Sequence, residues 1–257
     1  MKFDIVTIFP AMVRAGLAEG VVGRGMTSGV LDVEVHDLRE HTTDRHRTVD
    51  DVPYGGGPGM VMKVEPFVRA VAAIEARRGR PDVVVLLSPQ GERFVQATAV
   101  ELSRMRHVAL LCGRYEGVDD RLVTLLGARE MSVGDFVVSG GELPALMVVD
   151  SVSRLVPGVV GDEQSVAEDS FSAGLLDYPH YTRPAVFDGV SVPEVLLSGN
   201  HRAVREWRRR AALERTLARR PELVEVAALD DTDRRVLEAI RRERQDTLPV
   251  ERADEER

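Results

Sequence analysis

Two stretches of this chain, Val83–Leu87 and Val108–Cys112, are unbroken runs of apolar residues. Such runs predict strands buried on both faces. Leu31–Leu38 alternates instead, with Leu31, Val33 and Val35 set against Asp32, Glu34 and His36. That period of two predicts a strand with one wet face. Phe3–Phe9 is a further strand, ended by Pro10. Between the strands the period changes. Phe67–Arg78 puts Val68, Val71, Ala72 and Ile74 near one side of a helix, and Phe94–Arg106 and Val148–Val156 also have helical spacing. Strand and helix in alternation predict an α/β sheet.

The pattern then breaks. Gly158 to Ala173 is poor in large apolar residues and rich in Gly, Ser, Asp and Glu, which predicts a mobile linker or lid. Asp177–Pro184 is aromatic and punctuated by proline. Beyond it Asn200–Arg219 and Asp231–Arg244 read as helices, the second with Val236, Leu237 and Ile240. The expected organisation is a domain over 1–160, a linker over 161–175, a helical domain over 176–246 and a charged tail over 247–257.

The first of these late helices carries a basic patch. Arg202, Arg205, Arg208, Arg209, Arg210, Arg215, Arg219 and Arg220 crowd it, and only Glu206 and Glu214 within it offset them. A solvated amphipathic helix is one reading. The excess of one sign points to the other, contact with nucleic-acid phosphate, for which the arginine fork is well shaped. Trp207, spaced from Val204 and Ala211, reads as part of the packing face rather than a base-stacking platform.

Composition narrows the class. At 257 residues the chain can form one large domain or two smaller ones, and 44% hydrophobic with 30% charged residues is ordinary for a globular protein. The net charge of −8 means that a nucleic-acid partner must meet a local basic patch. The single cysteine, Cys112, excludes an intrachain disulfide, fits a reducing compartment and reads as a buried core residue. MKFDIVTIFP does not look like a signal peptide, and no window approaches the ~20 apolar residues of a membrane span. The expectation is a cytoplasmic protein.

The candidate chemistry lies between Leu110 and Pro144. Two loops there, Gly113–Gly117 (GRYEG) and Ser139–Glu142 (SGGE), follow apolar runs and combine glycine with charge. Glycine lets a backbone approach a ligand closely, and two such loops about one helix apart suggest a shared cleft. A phosphate-binding P-loop, a G-x-G-x-x-G fingerprint after a strand and a G-x-S-x-G elbow are all missing from the sequence. His41 and His46 match no zinc spacing, so no structural metal is expected. The glycines of Tyr54–Gly59 (YGGGPG) read as a flexible surface loop able to fold over a ligand.

These segments resemble a known family, the bacterial tRNA (guanine-N1)-methyltransferases (TrmD family, SPOUT class). The match runs through Phe3–Pro10, Asp51–Met62, Leu87–Gly91, Cys112–Arg121, Ser132–Pro144, Asp169–Pro184 and Gly199–Trp207, nearly the whole chain. The resemblance implies an α/β parallel sheet whose backbone forms a deep trefoil knot, with a smaller, mainly helical C-terminal domain. It implies S-adenosylmethionine bound in the knot by Leu87, Ser88, Pro89, Gly113, Tyr115, Glu116, Gly117, Val133, Gly134, Asp135, Phe136, Val137, Val138, Gly140, Gly141 and Pro144. It implies a homodimer with each active site spanning both subunits, and a C-terminal domain that holds the anticodon arm of tRNA with G36 and G37. The reaction implied is methyl transfer to N1 of guanosine 37. Asp169 matches the family's general base, Arg154 a residue that steadies the guanine or its phosphate, and Glu116 an acidic residue beside which Mg2+ can assist. Out of that context Asp169, next to Glu168, would read as a solvated carboxylate and Arg154 as a surface residue. His180, Tyr181 and Arg183 are candidates for turning out the target base, with Asp177 beside them. Two rivals stand next to this reading: a related methyltransferase acting on a ribose 2′-oxygen or on ribosomal RNA, and a non-catalytic RNA-binding protein using the arginine helix alone.

Overall fold

The computed structural model describes residues 1–161 and 169–247. Residues 162–168, inside the predicted linker, and the tail beyond Thr247 lie outside the described residues. The chain divides into two compact units at Glu163/Gln164.

The first unit is built on a parallel sheet of five strands in the order β2-β1-β6-β5-β7. The strands are β1 (Lys2–Thr7), β2 (Asp32–Asp37), β5 (Val83–Arg93), β6 (His107–Cys112) and β7 (Arg129–Ser132). β6 lies in the middle of the sheet, and its apolar run divides by parity. Val108, Leu110 and Cys112 enter one core with Phe3, Ile5, Val85 and Leu87. Ala109 and Leu111 enter the other with Val6, Val84 and Leu86. A strand buried on both faces has no wet side, which is why these runs do not alternate.

Helices cover both faces. α1 (Pro10–Leu17), α2 (Gly20–Thr27), α4 (Gln96–Ser103) and α6 (Glu142–Ser153) supply Val13, Val22, Leu102, Val148 and Val152 to the first core. α3 (Val64–Arg78) and α5 (Arg121–Leu126) supply Phe67, Val71, Ile74 and Leu122 to the second. Two-residue strands β3 (Asp50–Asp51) and β4 (Val61–Met62) pair antiparallel at the base of the glycine-rich loop. The α/β class is as expected. The helix read at Val148–Val156 begins earlier, at Glu142, and ends at Ser153. Pro144 falls inside its first turn, where a missing N–H costs nothing.

One polar cluster lies inside this unit. Asp4, fully buried on β1, faces the imidazoles of His36 (2.5 Å) and His107 and the Arg78 guanidinium (3.1 Å). Arg78 in turn reaches Asp32 and Glu34. Among the described residues Asp4, Glu34 and His36 are the group whose ligand atoms lie close enough for a metal ion. Here the cation they face is the guanidinium of Arg78.

The second unit holds α7 (Glu194–Leu197), α8 (His201–Arg219), α9 (Pro221–Val226), α10 (Asp231–Thr247) and a short hairpin, β8 (Val186–Phe187) with β9 (Val190–Ser191). Asn200 caps α8 by accepting a hydrogen bond from Ala203 N. Leu175, Leu213, Val224, Leu237 and Ile240 form its core. Residues 169–175, at the end of the predicted lid, form a turn: Ser172 N donates to Asp169 O, and Phe171 N to Leu175 O at 2.7 Å.

The arginine helix is less free than its sequence suggests. Arg209 makes a two-pronged pair with Asp233 (2.7 and 2.6 Å), Arg210 pairs with Glu243, and Arg202 pairs with Glu206 at 2.9 Å. Asp233 and Glu243 sit on α10, so partners on another helix offset charge that Glu206 and Glu214 alone could not. Trp207 also departs from expectation. It is half-buried and lines a cavity, outside the five-residue buried core.

Candidate functional site

A cleft of about 300 Å³ opens outside the carboxyl ends of β5, β6 and β7. In open α/β sheets this is the general place for a ligand. Four segments build it, each bent by its own local chemistry.

The first is Leu87, Ser88 and Pro89, with Gln90. β5 loses register here: Leu87 and Glu92 both pair with Met131, so the chain between them bulges out. Gly91 closes the bulge against the backbone of Glu130 and Met131, where no Cβ would fit.

The second segment follows β6 and contributes Gly113, Tyr115, Glu116 and Gly117. Tyr115 has φ 60° and Gly117 φ 131°. A non-glycine residue in the left-handed region signals a constrained loop. The third is Val133, Phe136, Val137 and Val138. This apolar run is not a strand. It is a loop after β7, and Val137 is 84% exposed. Exposed apolar side chains gathered at a cleft mark a binding surface.

The fourth segment, Gly140, Gly141 and Pro144, enters α6. Gly141 N donates to Gly113 O at 2.9 Å, which ties the two glycine loops together. A Cβ on Gly141 would lie 2.7 Å from Cα of Cys112. Gly141→Ala is therefore expected to destabilise the protein by about 1–3 kcal/mol, as overpacking against backbone does. A urea unfolding midpoint equal to wild type would contradict this.

Behind the fourth segment Glu142 is fully buried, accepting hydrogen bonds from Thr7 Oγ1 (2.7 Å) and Arg114 Nε (3.0 Å). The Arg114 guanidinium also lies over the Phe9 ring, 4.5 Å from its centroid. Glu142 sits in the first turn of α6, where a negative charge is favourable. Cys112 is fully buried, and burial, with the Glu142 charge next, pushes its thiol well above the usual range. It is an inert core residue, as its setting in the sequence suggested.

Of the residues expected to form the cleft, only Gly134 and Asp135 do not line it. Gly134, at φ 155°, exchanges hydrogen bonds with Ser132 and shapes the turn. Asp135 points outward and pairs with Arg93. The glycine-rich loop at 54–59 comes down beside the cleft: Glu116 N donates to Met60 O at 3.0 Å, and Gly59 packs against the Glu116 side chain.

Arg154 caps the C-terminus of α6 and is half-buried, off the cleft lining. Asp169 belongs to the second unit, at the start of its turn. Asp177 accepts from Tyr178 N (2.7 Å) and faces His180 Nε2 (2.6 Å). His180, Tyr181 and Arg183 line the cavity that Trp207 shares.

Residues the sequence reading passed over also line the cleft, among them Gln90, Arg114, Asp120, Glu130 and Ser132. Gln90 and Arg114 sit inside motifs already singled out. Glu130 and Ser132 come from β7, a four-residue strand with three polar members, which leaves almost no periodic signal.

The profile of a family described as tRNA (Guanine-1)-methyltransferase TrmD matches residues 1–226. Curated relatives named tRNA (guanine-N(1)-)-methyltransferase are similar over nearly their whole length. That of Geobacter metallireducens is 53% identical, covering 92% of this chain and 96% of its own. That of Thermomicrobium roseum is 51% identical, covering 93% and 88%. That of Pasteurella multocida is 50% identical, covering 95% and 99%.

Proposed function

This chain belongs to the tRNA (guanine-1)-methyltransferase family, and from that premise we infer that it transfers a methyl group from S-adenosylmethionine to N1 of guanosine 37 in tRNA. The observation that carries the reading for the donor is the cleft. Its glycine loops leave room for close backbone approach, and its apolar wall suits an adenine ring. We assign the donor to Leu87–Pro89, Gly113–Gly117, Val133, Phe136–Val138, Gly140, Gly141 and Pro144, with Gly134 and Asp135 shaping the loop. The family's deep trefoil knot is the backbone topology we propose for this half.

When bound, the donor supplies a methyl group already activated by a sulfonium charge, so no covalent enzyme intermediate is required. The protein must handle the guanine. N1 carries a proton and attacks only as that proton leaves, while negative charge grows on O6. Asp169 is the proposed base and Arg154 the proposed partner of the developing charge. Glu116 closes the cleft beside the glycine-rich loop. Mg2+ needs only one or two carboxylates and keeps its waters, so the exposed Glu116 carboxylate would hold it, and it would add positive charge there.

A second copy of the chain fits the apolar surface of the first unit. Phe9 and Met12 on and before α1, and Leu143 and Met147 on α6, are all at least 39% exposed, and α1 packs on α6. A homodimer would cover them. No helix among the described residues is long and apolar enough to cross a membrane.

Incubation with labelled S-adenosylmethionine and tRNA transcripts, followed by mass spectrometry of digested nucleosides, tests the reaction. The expected product is 1-methylguanosine at position 37 alone. 2′-O-methylguanosine, or label at another position, would favour the rival methyltransferase. Retained RNA binding without any transfer would favour the non-catalytic rival.

A further inference from the structure

The second unit contains a cavity of about 400 Å³, lined by His180, Tyr181 and Arg183 together with Trp207 and Arg208, to which the methyl-transfer reading assigns no ligand. Its walls combine two chemistries. Tyr181 and Trp207 are aromatic neighbours, with ring centroids 6.3 Å apart and planes tilted by 56°. Arg183 and Arg208 line the same cavity, together with the apolar Leu196 and Val204.

Arg208 is poised in an informative way. Its guanidinium stacks on Tyr178, 4.7 Å from the ring centroid. Its Nε is enclosed without a hydrogen-bond partner. Enclosed donors are nearly always satisfied in folded proteins, so an open one beside a cavity signals an acceptor still to come. Its neighbours on α8 differ, since Arg209 and Arg210 are spent on ion pairs with α10. The segment that carries the aromatic wall is fixed in place. Asp177 N donates to Ser170 Oγ at 2.9 Å, Asp177 holds His180, and Arg215 Nη1 donates to Asp177 O.

We propose that this cavity is a subsite for one unpaired nucleotide of the RNA substrate, its base stacked on Trp207 and bordered by Tyr181, its phosphate received by Arg208 and Arg183. The proposal rests on the reading of tRNA as substrate. An aromatic cavity lined by two arginines repels cations and suits a ligand that is both planar and anionic. Duplex RNA keeps its bases stacked inside, so the ligand must come from a loop. The subsite would anchor the loop from the second unit, separately from the donor cleft of the first.

Trp207 is the protein's only tryptophan, which makes its emission a direct report on this cavity. The intact protein is titrated with a tRNA transcript and, as control, with an RNA duplex of equal length. The tRNA is expected to quench Trp207 emission and to lower its accessibility to acrylamide at least twofold, and the duplex to do neither. Tyr181→Ala and Arg208→Gln should each weaken tRNA binding about tenfold, with S-adenosylmethionine affinity and thermal midpoint at wild-type values. Formation of 1-methylguanosine in the same preparation separates the two ideas. Methylation with unchanged Trp207 emission and accessibility overturns the subsite and leaves the functional reading standing. Absence of both methylation and tRNA binding overturns both. A change in emission that follows protein concentration alone would assign the cavity to a second copy of the chain, against the proposal.

Discussion

Asp169→Asn is expected to lower turnover on tRNA by about 100- to 10,000-fold, the range in which a positioned general base contributes. Asparagine has nearly the same shape and keeps the hydrogen-bonding carbonyl, but it cannot take the N1 proton. Asparagine also keeps the backbone oxygen that accepts from Ser172 N in the turn at this position. Affinity for S-adenosylmethionine should stay within about twofold of wild type, since the base acts on the guanine and not on the donor. Single-turnover assays at saturating donor, with calorimetry of donor binding, make the comparison. Near-wild-type turnover would remove Asp169 from the chemistry. Equal loss of turnover and donor affinity would mean that it supports the fold.

The largest expected effect on stability lies well away from the glycine cleft, at Asp4. Burial pushes its carboxyl up, but hydrogen bonds with His36 and His107 and the charge of Arg78 outweigh this and hold it below the usual carboxylate range. A depressed folded-state value contributes stability that is present above the unfolded value, about 3.9, and is lost as pH falls through the folded one. Wild-type protein should therefore lose stability in acid, below about pH 4, through this group. Asp4→Asn removes the charge that two imidazoles and a guanidinium face, and should cost about 3–5 kcal/mol at neutral pH. For a domain of this size that lowers the thermal midpoint by roughly 6–20 °C. The variant should also show a flatter acid limb. A loss under about 1 kcal/mol, or an acid limb as steep as that of wild type, would mean that the cluster does not hold β1, β2, β6 and α3 together in this way.

Strands buried on both faces were the most legible part of the fold. Val83–Leu87 and Val108–Cys112 announce themselves because burial on two sides leaves no polar position. The structure extends the first to Arg93 across a bulge that no pattern shows. α1 and α2 went unread because each is eight residues long, and the second contains three glycines. Short elements carry too few turns for a period to show, and glycine weakens what remains. The site was legible as motifs: most of the residues expected at the cleft do line it. Apolar character alone could not say whether Phe136–Val138 is a strand or a loop, because an apolar run looks the same whether it packs in a core or waits for a ligand.

The basic helix shows the same limit in charge. The arginines of α8 are plain in the sequence, and so is their excess over Glu206 and Glu214. Nothing there reveals that Asp233 and Glu243, 24 and 33 residues further on, neutralise Arg209 and Arg210. Nor does helical spacing show that Trp207 faces a cavity.

By itself the sequence determined the α/β class, the helical character of the second half, the glycine loops and, through its motifs, the family. These follow from local order, in which the period of burial, the freedom of glycine and the identity of consecutive residues are written one position after another. Only the tertiary structure decided that Gly141 locks onto Gly113, that Glu142 joins Thr7 to Arg114, that Arg78 answers Asp4, and which arginines of α8 remain open. Each of these depends on groups far apart in the chain meeting at a few ångströms, where hydrogen bonding and desolvation decide the energy and sequence distance carries no information about it.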